Sequence, residues 1–123
     1  MSNNIKFITK SISFNAKLND CPCAKEIFNN LPIISTVSTW GDEIYFRTNL
    51  DISVGLPTTD VNIGDIAFWP SGKCICIFFG KTPISTGSKP VPASNVFVIG
   101  KTDCLPEELR KISDSEDISV EKA

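Results

Sequence analysis

The feature that most constrains this chain is a period of two. In SISFNAKL, residues 11–18, Ile12, Phe14, Ala16 and Leu18 alternate with Ser11, Ser13, Asn15 and Lys17. That is the pattern of a strand with one buried face and one wet face. IKFI at 5–8 reads as an earlier strand, or as the start of the same long one. DEIYFRT repeats the alternation, with Ile44 and Phe46 on one side and Glu43, Tyr45 and Arg47 on the other. DIAFW and KCICIFF flank PSG, where Pro70 and Gly72 supply the turn chemistry of a hairpin. KCICIFF is apolar on both faces, as in a strand buried on both sides. NVFVIG and DISVE add two more strands.

Helical periodicity appears twice. Ala24, Ile27, Phe28 and Leu31 form one stripe, so a helix is expected over about 22–31, closed by Leu31-Pro32. In LPEELRKI, Pro106 suits a first turn, Glu107 and Glu108 suit the positive end of the dipole, and Arg110 and Lys111 the other end. That predicts a short helix over about 106–112 with Leu105, Leu109 and Ile112 inward. Seven or eight short strands and two helices imply a mainly β barrel in one domain, 1–123. TTDVNIG and the Pro/Ser/Gly-rich KTPISTGSKPVPAS read as loops, the second long enough to form a rim or lid.

Charge narrows the function classes. With 12 basic and 14 acidic residues the net charge is −2, and no basic stripe interleaved with aromatics occurs, so nucleic acid is not an expected partner. No apolar run approaches the roughly 20 residues of a membrane helix, and MSNNIKF lacks the apolar core of a signal peptide. Membrane association is therefore not expected, and the cytoplasm is the expected compartment. The chain has no histidine, which removes the commonest general base and the commonest metal ligand together.

Cysteine is the other place to look for chemistry. The pairs Cys21/Cys23 and Cys74/Cys76 are each spaced by one residue. Zinc knuckles space their cysteines by about two to four. Pro22 opens a helix, which puts Cys21 at the cap and Cys23 on another side. Cys74 and Cys76 lie in the most apolar strand, where cysteine serves as a small hydrophobe with an inert thiol. Neither a metal nor any other cofactor is expected, and Cys21 is the thiol expected to react first. GKT at 80–82 lacks the glycine a phosphate loop needs, since position 75 is Ile. Asp42 and Asp65 each follow a glycine before a strand, which is turn chemistry.

Three blocks, WGDEIYF at 40–46, IGDIAFWPSGKCICIFFGKTPIS at 63–85 and NVFVIGKTD at 95–103, resemble the small cyclophilin-like proteins of bacteria and archaea. With the LP after the first helix and the closing strand, the resemblance spans residues 5–121. It implies a closed, mostly antiparallel β-barrel of about eight strands with a helix across an open end. The biochemical role of such proteins is generally unassigned, so the resemblance implies no activity. True cyclophilins isomerise the bond before proline with an arginine beside aromatics and a histidine. Here histidine is absent, the only arginines are Arg47 and Arg110, and Arg47 lies beyond the shared block. Prolyl isomerase activity is not expected.

The polar face of WGDEIYFR is the expected place for function. Glu43, Tyr45 and Arg47 on one strand give an acceptor, an amphipathic ring and a fork of donors, with Trp40 beside them. Trp69, Phe79, Thr82, Pro83 and Ser85 are the residues expected to complete a groove. The leading expectation is a barrel that binds a small molecule or an extended peptide there. The alternative is an isomerase- or hydrolase-like enzyme with Glu43 as general acid or base, whose pKa desolvation would raise. A third reading is a structural module, such as a homodimer paired through an open strand edge.

Overall fold

The computed structural model describes residues 3–123. Nine strands and two helices follow in the order β1 (Asn4–Thr9), β2 (Ser13–Leu18), α1 (Pro22–Asn29), β3 (Ile33–Thr36), β4 (Ser38–Thr39), β5 (Glu43–Arg47), β6 (Asp65–Trp69), β7 (Cys74–Phe78), β8 (Phe97–Lys101), α2 (Pro106–Leu109) and β9 (Asp117–Lys122). Every pairing is antiparallel, in the spatial order β3-β9-β1-β2-β8-β6-β7-β5-β4. The two end strands are consecutive in sequence, separated by Val37 alone. One extended segment thus pairs with β9 through β3 and with β5 through β4, wrapping the sheet into a nearly closed barrel. Val37 is buried at this corner, and its N–H and C=O are bonded to Glu116 and Ser115. The strand count exceeds the expected eight because this corner divides one extended segment in two.

Strand parity fills the interior. Phe7, Phe14, Phe46, Ile66, Ile77 and Ile99 are among the side chains that meet inside the barrel. Phe7 is fully enclosed, stacked on its cross-strand partner Phe14 at 4.9 Å and edge-on to Phe46 at 6.3 Å. Cys23, Ala24 and Ile27 of α1 belong to the same core, with Phe28 and Leu31 packed against it. Both helices are shorter than the sequence patterns suggest. α1 ends at Asn29, where the Asn30 and Leu31 N–H groups turn back to the carbonyls of Ile27 and Phe28, because a residue before proline disfavours helix. α2 ends at Leu109, and Leu105 is a 57% exposed extended N-cap, so only Leu109 and Ile112 of the expected trio face inward.

A second apolar layer lies on the outside of the barrel. Ala67, Cys74, Cys76 and Phe78 point away from the interior yet are buried, clustered with Val61 and Val96. The cover comes from residues 48–64 and 79–96, the two long connections. A bridge between Thr58 and Val96 and an ion pair between Asp60 and Lys89 tie these connections together. This explains why KCICIFF is apolar on both faces: one face meets the core, the other meets loops.

The five cysteines are all free thiols. Cys21 caps α1 through its sulfur, which accepts the Ala24 N–H at 3.4 Å. Burial pushes the Cys23 thiol up to about 12, aided by the nearby Cys21 and Glu26 charges. Cys76 is raised well above 9.0, by burial first and then by the adjacent Glu43. A half-buried thiol at a helix N-terminus is the most reactive environment of the five. Limited alkylation of the folded protein, read by peptide mass, is therefore expected to label Cys21 first and Cys23 and Cys76 only after unfolding. Prior labelling of Cys76 would contradict this packing.

Candidate functional site

The site begins at a turn. Gly41 sits at φ +62°, in the left-handed region, and a Cβ there would lie 2.8 Å from the Lys81 carbonyl oxygen. Glycine permits both the conformation and the approach. The turn is held by Trp40 N–H to the Glu43 carbonyl (2.9 Å), Asp42 N–H to Lys81 (2.8 Å) and Phe79 N–H to Asp42 (2.9 Å). Asp42 then anchors α2, since its carboxylate receives the Arg110 guanidinium at 2.9 and 3.2 Å. Asp65 holds its own turn by accepting the Asn62 N–H at 2.8 Å. Both aspartates therefore serve the turns. Trp40 is set directly beside the start of β5.

Along β5 the alternation puts Glu43, Tyr45 and Arg47 on the outer face. Register places Glu43 opposite Phe78, Tyr45 opposite Cys76, and Arg47 opposite Cys74, with Ala67 and Trp69 of β6 on the far side of β7. Over this patch lies the segment after β7. Inside it, the Thr82 hydroxyl donates to the Val91 carbonyl and the Ser85 hydroxyl to that of Lys89 at 2.9 Å. These bonds fold residues 82–91 back on themselves and bring Pro92 and Ala93 over the barrel wall.

Between wall and loop lies a pocket of about 230 Å³ lined by Trp40, Glu43, Tyr45, Trp69, Cys76, Phe78, Pro92, Ala93 and Val96. It is small, equal to roughly eight waters of liquid volume, below the usual range for drug-sized ligands. The chain has two tryptophans and one tyrosine, and all three line this pocket. The Tyr45 and Trp69 rings meet edge to face at 6.4 Å, and the Trp69 indole N–H donates to Ser94 at 2.6 Å. That bond fixes the ring against the covering loop.

Glu43 is the polar element. It is 5% exposed, and its Oε1 is the one buried side-chain oxygen or nitrogen among the described residues that lacks a hydrogen-bond partner. Burial raises its carboxyl from 4.5 to about 7, partly offset by the Cys76 thiol beside it. No lysine or arginine lines the pocket to hold the charge. A carboxyl of this kind accepts, donates or exchanges a proton near neutral pH.

Four of the nine residues singled out from sequence, Trp40, Glu43, Tyr45 and Trp69, meet in this pocket, and five do not line it. Arg47 is exposed at the far end of β5. Phe79 follows β7 with the parity of Ile75 and Ile77, so it packs in the barrel core, with Arg110 above its ring at 6.0 Å. Thr82 and Ser85 fold the covering loop from within, and Pro83 is exposed beside Gly41. Cys76, Phe78, Pro92, Ala93 and Val96 are lining residues that sequence reasoning missed. For Cys76 and Phe78 the parity of KCICIFF was the available signal.

Among the described residues no group of three or more Cys, Asp or Glu side chains is placed to hold a metal ion, and no helix is long and apolar enough to cross a membrane. A family model described as Cyclophilin-like matches residues 3–121. The solution structure of a hypothetical protein from Archaeoglobus fulgidus is similar at a TM-score of 0.84 and 39% identity, over 99% of this chain and 95% of that one. No curated protein matches the chain. From the nearly closed barrel, the match over almost the whole length and this structural likeness, the chain belongs to the cyclophilin-like family.

Proposed function

We propose that this protein binds a compact, largely apolar small molecule in the pocket between β5–β7 and the 79–96 segment. One observation carries the reading: its only Trp and Tyr residues converge there on a buried carboxyl whose Oε1 has no hydrogen-bond partner. Large aromatics usually fill a core, where they contribute most to packing. Here they line a concavity on the outside of the barrel instead. A buried polar atom without a partner costs about 1–3 kcal/mol, a penalty that a bound ligand group relieves. The absence of any basic lining residue disfavours phosphates and carboxylates as ligands.

Because both tryptophans lie in the pocket, intrinsic fluorescence reports on it directly. Titration with benzyl alcohol and benzylamine is expected to give a saturable change for at least one of them. Amide shifts should centre on Trp40, Tyr45, Trp69 and Val96. Ala93 is an exposed residue of the lining, so Ala93→Phe should occlude the space and weaken binding about tenfold or more. If neither compound changes the fluorescence or these amide shifts, the reading fails.

A further inference from the structure

Resting on that pocket reading, we infer the class of its ligand: an amine bound as its ammonium ion, paired with the Glu43 carboxylate and with its charge held among Trp40, Tyr45 and Trp69. Three independent features select a cation. The first is the unpartnered acceptor, 95% buried by its residue's 5% exposure, on a side chain that lines the cavity. The second is the aromatic lining of Trp40, Tyr45, Trp69 and Phe78, in which the Tyr45 and Trp69 rings stand at 88° to one another and form a corner. Aromatic rings attract cations through their quadrupole, most strongly when the cation is desolvated, and tryptophan is the best of them. The third is the charge census. Glu43 is the only carboxyl in the lining, and no basic side chain is there to neutralise it.

Among the described residues no side chain takes the role of the cation. Arg47, on the same strand, is exposed and lies opposite Cys74, beyond the pocket. Arg110 is engaged by Asp42, and Lys89 by Asp60. From β7 the groups facing Glu43 are the thiols of Cys76 and, further off, Cys74. From its own strand Tyr45 brings a phenol, while β6 and residues 92–96 bring no charged group into the lining. A neutral ligand could use the protonated carboxyl as a donor, but would leave the rings as packing alone. The volume sets the size: an ammonium on a body of about one ring fills the space of roughly eight waters.

Binding of a cation favours the ionised carboxyl, so it is coupled to loss of the Glu43 proton wherever the free protein holds one. The test is calorimetric titration of the full chain with benzylamine and with benzyl alcohol, its neutral counterpart of equal size, at pH 8 and pH 5.5. At pH 8 benzylamine should bind about tenfold or more tighter than benzyl alcohol, and Glu43→Gln should abolish that preference. At pH 5.5 the preference should shrink, and buffers of different ionisation enthalpy should reveal proton release. Equal or tighter binding of the alcohol at pH 8 overturns the cation inference while the pocket reading stands. Silence of both compounds is instead the failure of the pocket reading. Should Glu43→Gln not fold, proton release by the wild-type chain decides, and its absence at pH 5.5 counts against the inference. A tripeptide with a free N-terminus, compared with its acetylated form, separates a peptide amine from a small-molecule amine as the source. Tighter binding of the free peptide than of benzylamine would overturn the small-molecule assignment.

Discussion

Glu43→Gln is expected to leave stability nearly unchanged at pH 4.5 and to raise it by roughly 3 kcal/mol at pH 8. The cause is the cost of ionising a carboxyl inside an apolar pocket. Burial lifts its pKa from 4.5, the value an unfolded chain shows, to about 7. Below 4.5 both folded and unfolded chains hold the proton, and the side chain imposes no ionic penalty. Between 4.5 and about 7 the unfolded chain releases its proton first, so the folded state loses stability as pH rises. Above about 7 the folded state carries the buried charge and the penalty is complete. Glutamine keeps the shape without the charge, so the gap between variant and wild type should open across that window. Urea unfolding of both proteins at several pH values measures it. A gap that is constant with pH would mean that Glu43 ionises in water-like surroundings.

Phe7→Ala is expected to cost about 3–5 kcal/mol, the usual toll for truncating a buried aromatic. Phe7 has no exposed surface, stacks on Phe14 at 4.9 Å and meets Phe46 at 6.3 Å, so it joins β1, β2 and β5 across the interior. The curved wall around it is tied by strand pairing on both sides of β1, which limits collapse into the space left behind. For a domain whose total stability is about 5–15 kcal/mol, that loss should lower the melting temperature by roughly 10–20 °C. Phe7→Leu keeps most of the volume and should cost about 1–2 kcal/mol. A loss below about 1 kcal/mol for the alanine variant would contradict the core position of this ring.

These two positions also show what the sequence makes legible. Phe7 and Phe14 fall on the buried side of strands whose alternation is unbroken, so their inward direction follows from parity alone. Glu43 and Tyr45 share the opposite face from Ile44 and Phe46 for the same reason. Parity does not say what lies above a face. That Glu43 is covered follows only from the fold of residues 79–96, which have no periodicity. Their position depends on contacts distant in sequence, such as Thr58 with Val96 and Asp60 with Lys89, and local pattern carries no trace of these. Pro92 and Ala93 were therefore beyond reach. Phe79 was within reach, because it continues the parity of Ile75 and Ile77 into the core. Cys74 and Cys76 illustrate the same limit: their burial follows from the sequence, but the neighbour that Cys76 meets, Glu43, follows only from the register of β5 on β7.

The barrel thus separates two tasks. Its interior supplies stability through aromatic and aliphatic packing, and its outer wall at β5–β7 carries the polar and aromatic groups that a ligand would need. The central claim is that Glu43 is a buried acid poised to change protonation near neutral pH in a pocket that takes a cation. The most direct measurement is an NMR titration of the Glu43 side-chain carboxyl carbon, in the free protein and with saturating benzylamine. The predicted result is a midpoint of about 7 in the free protein that falls when benzylamine binds. A midpoint near 4.5 in the free protein, or one that benzylamine leaves in place, would contradict the account.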